Sequence, residues 1–259
     1  MAPPRRIRPA LTTMACVATK GEEGERTFLA VSAVGFVASA AATIGMATTG
    51  MPICGGGTMM LRPSTAASFL GMWLMMMTAM MLPSLVPMLR RYRQAVGGTG
   101  APIDRLTGLV AAGYFCAWTG VGLAVFALDA VLPPARPYAG AVVLIAGLLQ
   151  FTAWKRRALA GCRERPGRLA GDADAAWRHG LHLGVHCVGS SAGLTAILLV
   201  VGMMDLAVMA AVTAAITAER LAPAGLRIAR SIGVVLVGSG LLLLARGAVL
   251  IPLAAGLWI

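Results

Sequence analysis

Hydrophobic and polar positions along this chain fall into blocks. Runs of about 20 apolar residues are separated by short clusters of Arg, Lys, Pro and Gly, a pattern typical of membrane-spanning helices. We predict seven spans, at residues 28–48, 65–88, 106–128, 138–155, 178–201, 206–219 and 228–246. The predicted fold is all-α: a polytopic transmembrane helix bundle formed by residues 28–259 as a single domain, after a basic cytoplasmic N-terminal tail at 1–27.

Composition supports this fold class. The 259 residues are 58% hydrophobic and only 12% charged, whereas a soluble domain carries roughly 25% charged residues. Of the 22 Lys and Arg, only Arg62, Arg136 and Arg246 lie outside the segments that face inward if the N-terminus is inside. The positive-inside rule therefore predicts an inside N-terminus and an outside C-terminus in the inner (plasma) membrane of a cell. This bias also explains the net charge of +12, so the lipid bilayer is an expected partner and nucleic acid is not.

Methionine is concentrated in the second span. The segment "WLMMMTAMMLP" (73–83) lies on a helix where Met72, Met76 and Met80 form one stripe and Met81 belongs to a neighbouring one. The preceding outer loop, 46–63, adds Met51 and Cys54 among glycines. Thioethers give adaptable packing, and they are also soft ligands suited to Cu(I). Spacing alone leaves both interpretations open.

The fifth span, "WRHGLHLGVHCVGSSAGL" (177–194), contains all three histidines. His179, His182 and His186 share one helical face, with Cys187 at its edge. Polar groups inside a membrane helix are expensive and usually face an interior site. Two interpretations of His182 and His186 stay open: hydrogen bonds to neighbouring helices, or a metal site with Cys187. For His179 an interfacial position is favoured.

The remaining cysteines and acidic residues indicate no particular function. The five cysteines are scattered, so a disulfide framework is not expected. Cations around Cys162 could lower its thiol pKa, although an ordinary reduced cysteine is the simpler interpretation. A surface turn explains Asp205, and a local ion pair with Arg220 explains Glu219. No nucleophile stands with a base, so the sequence leaves an enzyme open without favouring one.

Five segments form a characteristic series along residues 65–222, approximately: "W…MMTAMMLPSLVP", "GYFCAWTG", "LLQFTAWKRRALAGCRERP", "HGLHLGVHCVG" and "GMMDLAVMAAVTAAITAER". In this order they resemble a known bacterial family, the predicted metal-binding integral membrane proteins. The resemblance implies a polytopic bundle that handles a metal, copper above all. By motif match it places family residues on Trp73, Met76, Met80, Met81, Pro83, Gln150, Lys155, Cys162, Arg163, Pro166, Gly184, Cys187, Gly189, Met204, Met209 and Glu219.

This chain departs from the family pattern at three cysteine positions, which are Ala158, Ser190 and Ser191 here. The departures mean either that metal is bound through His and Met instead, or that the metal has been lost. The presence of His182 and His186 favours the first.

The leading hypothesis is a Cu(I)-binding integral membrane protein that acquires, stores or delivers copper to a membrane or periplasmic enzyme. Copper would pass from Met51 and Cys54 to the Met72/Met76/Met80 stripe and on to His182, His186 and Cys187. The alternative is a non-catalytic accessory or assembly subunit of a larger membrane enzyme complex, such as a copper-dependent oxidase or monooxygenase. The small residues of "GLTAILLVVG" and "GVVLVGSG" would then be its interface. A proton- or ion-coupled transporter is a weaker third option.

Overall fold

The computed structural model is a bundle of helices. It describes residues 8–48, 63–97, 101–131, 138–163, 171–203 and 205–256, with side chains at 23–48, 65–97, 102–129, 131, 138–163, 171–203 and 205–246. The helices are α1 (Arg8–Thr48), α2 (Pro63–Val96), α3 (Ala101–Val131), α4 (Ala139–Leu149), α5 (Ala153–Arg163), α6 (Ala173–Val201), α7 (Leu206–Leu221) and α8 (Gly225–Gly256). No strand occurs within these ranges, which confirms the all-α class.

Five stretches within the described helices are long and apolar enough to cross a membrane: Glu23–Thr48, Thr65–Val96, Pro102–Asp129, Ala173–Val201 and Gly225–Arg246. They correspond to the first, second, third, fifth and seventh predicted spans. The other two predicted spans are shorter helices, the 11-residue α4 and the 16-residue α7. An apolar span needs about 20 residues to cross the hydrocarbon core, so neither reaches the usual length.

The predicted span at 138–155 is interrupted by a turn. The backbone N–H groups of Gln150, Phe151 and Thr152 bond to carbonyls three residues earlier, which tightens and ends α4. The Thr152 hydroxyl then accepts from the backbone N–H of Lys155, at 3.2 Å, and caps the start of α5. Helix α5 buries Leu159 and Cys162 and exposes Arg156 and Arg157. Its charged face belongs in water or among headgroups, not in lipid.

Close packing between α3 and α6 depends on glycine. A Cβ atom added at Gly113 would lie 2.6 Å from the Trp177 carbonyl oxygen, and one at Gly184 would lie 2.8 Å from the Tyr114 carbonyl oxygen. Small residues let membrane helices approach at backbone distance. The same device joins α4 to α8, where a Cβ at Gly240 would lie 2.6 Å from the Leu144 nitrogen.

The core lies between α2, α3, α6 and α7 and is rich in aromatic and methionine side chains. Trp73 is fully buried, and its Nε1–H donates to the Trp118 carbonyl oxygen at 2.9 Å. By contrast α1 and α8 expose large apolar side chains, among them Val34 at 69% and Val235 at 66%. These exposed apolar faces fit contact with lipid.

Candidate metal site

Four helices bring one side chain each to a common point in the core. Met81 comes from α2, Tyr114 from α3, Cys187 from α6 and Arg220 from α7, and all four are buried. The Cys187 Sγ lies 3.9 Å from the Met81 Sδ and 2.7 Å from the Tyr114 hydroxyl. We call these four residues the sulfur cluster. They are separated by up to 139 positions along the chain.

Arg220 organises the polar side of the sulfur cluster. Its guanidinium donates to the Cys187 Sγ at 2.8 Å, to the Cys187 carbonyl oxygen at 3.0 Å, to the Ser190 hydroxyl at 3.0 Å and to the Ser84 hydroxyl at 3.1 Å. A buried cation is tolerated only with such partners. Arg220 and Tyr114 can both donate to a Cys187 thiolate, the form in which cysteine binds metal.

A second polar group lies beside the sulfur cluster. The Lys155 ammonium forms an ion pair with the Glu219 carboxylate at 2.6 Å and donates to the Ser190 carbonyl oxygen. The Gln150 side-chain amide donates to the other Glu219 oxygen at 3.0 Å. Glu219 therefore forms its ion pair with Lys155 instead of Arg220, and the predicted local pair was wrong. Since successive residues on a helix point about 100° apart, Glu219 and Arg220 face different neighbours.

The predicted methionine stripes lie in the core. Met72, Met76, Met77, Met80 and Met81 are buried, whereas Met75 on the same helix is 41% exposed. The Met81 sulfur contacts the Cys187 sulfur. The other four buried methionines pack in the hydrophobic core with Trp73 and Trp118. Met51 and Cys54 lie outside the described residues.

The histidines occupy a different face of α6 from Cys187. His182 is exposed and His186 is half-buried, and their Nε2 atoms are 3.0 Å apart. Cys187 is the next residue and points about 100° away, into the core. His179 is half-buried and stacks on Tyr92 with ring centroids 5.5 Å apart. The structure thus joins Cys187 to Met81 and pairs the two histidines elsewhere.

Two further predictions from the sequence have clear outcomes. Burial raises the pKa of the Cys162 thiol and outweighs the lowering by the nearby cations Arg220 and Lys155, which fits the simpler interpretation of an ordinary reduced cysteine. Asp205 caps the start of α7 by accepting from the backbone N–H groups of Ala207 and Val208, as a residue at a surface turn would.

Among the side chains that the structure describes, no group of three or more His, Cys, Asp or Glu is placed to hold a metal.

The sequence reasoning missed two residues of the sulfur cluster. Tyr114 lies in the "GYFCAWTG" segment and Arg220 in "ITAER", and both segments contributed to the family resemblance. Neither residue type is a usual copper ligand, so neither position indicates a copper site from sequence alone. A charged residue at the end of an apolar helix was the available signal for Arg220.

The profile of a protein family described as PpoB2, copper chaperone, matches residues 70–243 of this chain. The chain belongs to this copper chaperone family. The matched region contains the whole sulfur cluster and both paired histidines, and membership associates the protein with copper. No curated protein and no solved structure matches the chain significantly.

The chemistry of the sulfur cluster is compatible with Cu(I). A thiol and a thioether are soft donors of the kind that select Cu(I). With metal–sulfur bonds of about 2.3 Å, two sulfurs 3.9 Å apart would subtend roughly 115° at the metal. That angle suits a bent site in which a third donor completes the coordination. Tyr114, at 2.7 Å from the cysteine sulfur, is placed to donate a hydrogen bond to a Cys187 thiolate and not to bind the ion itself.

Proposed function

We propose that this protein carries Cu(I) within the membrane and delivers it to a partner enzyme, holding the ion between Cys187 and Met81. One observation carries the proposal: the two sulfur atoms lie 3.9 Å apart, both buried, inside the region matched to a copper chaperone family. Burial among apolar side chains would protect the ion from water, and the hydrogen bonds from Arg220 and Tyr114 would hold the thiolate in position.

The rest of α2 supports a path to this site. Met72, Met76 and Met80 are buried on the same helix as Met81, one turn apart from each other. We propose that these thioethers relay copper along α2, and that Met51 and Cys54 in the preceding loop collect it. With the N-terminus inside, as proposed, that loop faces the outside of a plasma membrane. The shorter helices α4 and α7 would join the five long spans in a bundle of seven membrane segments.

The small-residue segments of the accessory-subunit hypothesis are used in part within the chain. Gly193 and Gly240 pack against α4, near Ala146 and Leu144. A Cβ atom at Gly238 meets nothing within 4 Å, and Val235 is exposed, so another face of the second segment stays open to lipid or to a partner. Delivery of copper still requires a receiving protein, so this protein would act on a partner without being built permanently into it.

Copper retention tests the proposal. The protein would be purified in detergent, loaded with Cu(I) under reducing conditions, and challenged with increasing concentrations of a Cu(I) chelator. We expect Cys187→Ser and Met81→Leu each to weaken copper retention by more than about tenfold, a change of about 1.4 kcal/mol. Matched controls come from the same chain: Cys116→Ser and Met75→Leu replace exposed residues of the same types.

The controls decide the interpretation. Wild-type retention in Cys116→Ser and Met75→Leu, beside loss in the two core variants, supports the buried site. If Cys187→Ser and Met81→Leu retain copper as tightly as the wild type does, the ion is held elsewhere and the proposal fails.

A further inference from the structure

The paired histidines on α6 have the geometry of a metal chelate. His182 and His186 are four residues apart, and their Nε2 atoms lie 3.0 Å from each other. The rings are 4.3 Å apart between centroids and tilted by 66°. The two Nε2 atoms are therefore close enough to bind one ion. A single hydrogen bond between two neutral imidazoles would also account for the distance.

The distance between the nitrogens limits which ion fits. With metal–nitrogen bonds of about 2.0–2.1 Å, nitrogens 3.0 Å apart subtend roughly 90–100° at the metal. This angle matches two neighbouring positions of a tetragonal Cu(II) site, and imidazole suits that ion. A linear Cu(I) site would instead need the two nitrogens about 4 Å apart at the same bond length.

The pair is reachable from the polar side of the bundle. His182 is exposed, and the exposed Arg178 precedes it by one helical turn. Helix α5 packs against this part of α6 and carries the exposed Arg156 and Arg157. Exposed charged side chains are costly in the hydrocarbon core, so this end of the bundle contacts water or lipid headgroups.

Gly161 of α5 fixes the position of the His186 ring. A Cβ atom added at Gly161 would lie 2.5 Å from the His186 Nδ1 and 2.6 Å from its Cγ. Any side chain there would have to push the imidazole away. The ring is thus held between two helices, and a chelate of which one ligand is held in place loses less side-chain entropy on binding metal.

We propose that His182 and His186 form a second copper site, separate from the sulfur cluster, which takes Cu(II) and leaves positions of the metal open to ligands from a partner. An open coordination position lets a receiving or donating protein bind the ion before the chain releases it. The inference rests on the proposed function for the identity of the metal. It involves no electron transfer between the two sites.

Cu(II) titration in the absence of reductant tests this site. The full chain carrying Cys187→Ser, which removes the sulfur ligand, would be titrated with Cu(II) and followed by electron paramagnetic resonance. We expect a signal with hyperfine coupling to two nitrogens. Adding His182→Ala or His186→Ala should weaken binding at least tenfold and remove the coupling to the second nitrogen. His182 is exposed, so its replacement leaves the packing of α6 intact.

A glycine pair supplies a second test that leaves both ligands in place. Gly161→Ala should weaken Cu(II) binding because the new methyl group displaces the His186 ring. Gly108→Ala should not, since a Cβ there meets nothing within 4 Å. His179→Ala, which removes the histidine stacked on Tyr92, should bind Cu(II) as the parent does.

The outcomes separate this inference from the proposed function. Unchanged Cu(II) affinity in His182→Ala, or a signal without coupling to two nitrogens, would show that the pair is a hydrogen bond only and would overturn the second site. Failure of the proposed function shows in a different measurement, the Cu(I) retention of Cys187→Ser and Met81→Leu.

Discussion

Removing the charge of Glu219 should destabilise the bundle strongly. The Glu219 and Lys155 side chains are 2% and 6% exposed and form an ion pair at 2.6 Å. Glu219→Gln keeps the size of the side chain but leaves the Lys155 ammonium, with the buried Arg220 nearby, without a carboxylate. Breaking one partner of a buried pair costs about 3–5 kcal/mol, because the remaining charge is buried without compensation.

This cost can be converted into a melting temperature. For a chain of this size, 1 kcal/mol corresponds to a change in Tm of about 2–4 °C. We therefore expect Glu219→Gln to lower the Tm by roughly 6–20 °C. Thermal unfolding in detergent, followed by intrinsic tryptophan fluorescence, would measure the change.

Two comparisons make the test specific. Arg178→Gln removes an exposed ion pair with Asp174, whose side chains are 72% and 71% exposed, and should cost at most about 0.5 kcal/mol. Lys155→Met added to Glu219→Gln removes the uncompensated ammonium and should recover part of the lost stability. A Tm of Glu219→Gln within about 2 °C of wild type, less than 1 kcal/mol, would refute the reasoning, as would a double variant less stable than Glu219→Gln alone.

Three further predictions follow from burial and packing. Gly184→Ala places a methyl group 2.8 Å from the Tyr114 carbonyl oxygen; overpacking of this kind costs about 1–3 kcal/mol, measurable as a lower Tm. Trp73→Phe removes the indole N–H that donates to the Trp118 carbonyl oxygen and should cost about 1–3 kcal/mol in the same assay. Burial raises the pKa of Cys162, so N-ethylmaleimide should modify it slowly at neutral pH and faster as the pH rises above the usual cysteine range, as read by peptide mass spectrometry.

Controls for these predictions are available in the chain. Gly120→Ala on α3 meets nothing within 4 Å and should keep or raise the Tm, since alanine favours helix more than glycine does. Equal Tm values for Gly184→Ala and Gly120→Ala would contradict the packing argument, and a wild-type Tm for Trp73→Phe would contradict the hydrogen-bond argument. Rapid modification of native Cys162 at neutral pH, at the rate of the denatured protein, would contradict its burial.

Local sequence features predicted much of the helical framework. Apolar runs of about 20 residues identify membrane helices because a single segment in lipid can satisfy all its backbone hydrogen bonds only as a helix. Asp205 was expected at a turn and caps α7. The turn between α4 and α5 was not predicted. Gln150 is a single polar residue within an apolar run, and its partner, Glu219, is distant in sequence.

The candidate site shows where local reasoning stops. Periodicity places Met81 and Cys187 each on a helical face, but it gives no information on which faces meet. A helix that is apolar on most sides has no single stripe that identifies its inner face. Gly113 and Gly184 allow the close distance between α3 and α6, and this close packing places Tyr114 beside Cys187.

By itself, then, the sequence determined the class of the protein, the approximate positions of its long helices and its supply of soft ligands, because these depend on composition and on neighbours within a turn or two. Only the tertiary structure decided that Cys187 joins Met81 and Arg220, that Glu219 pairs with Lys155, and that the two histidines stand apart from the sulfur atoms. Those pairings depend on where helices distant in sequence cross, and the crossing points are set by close packing summed over the whole bundle.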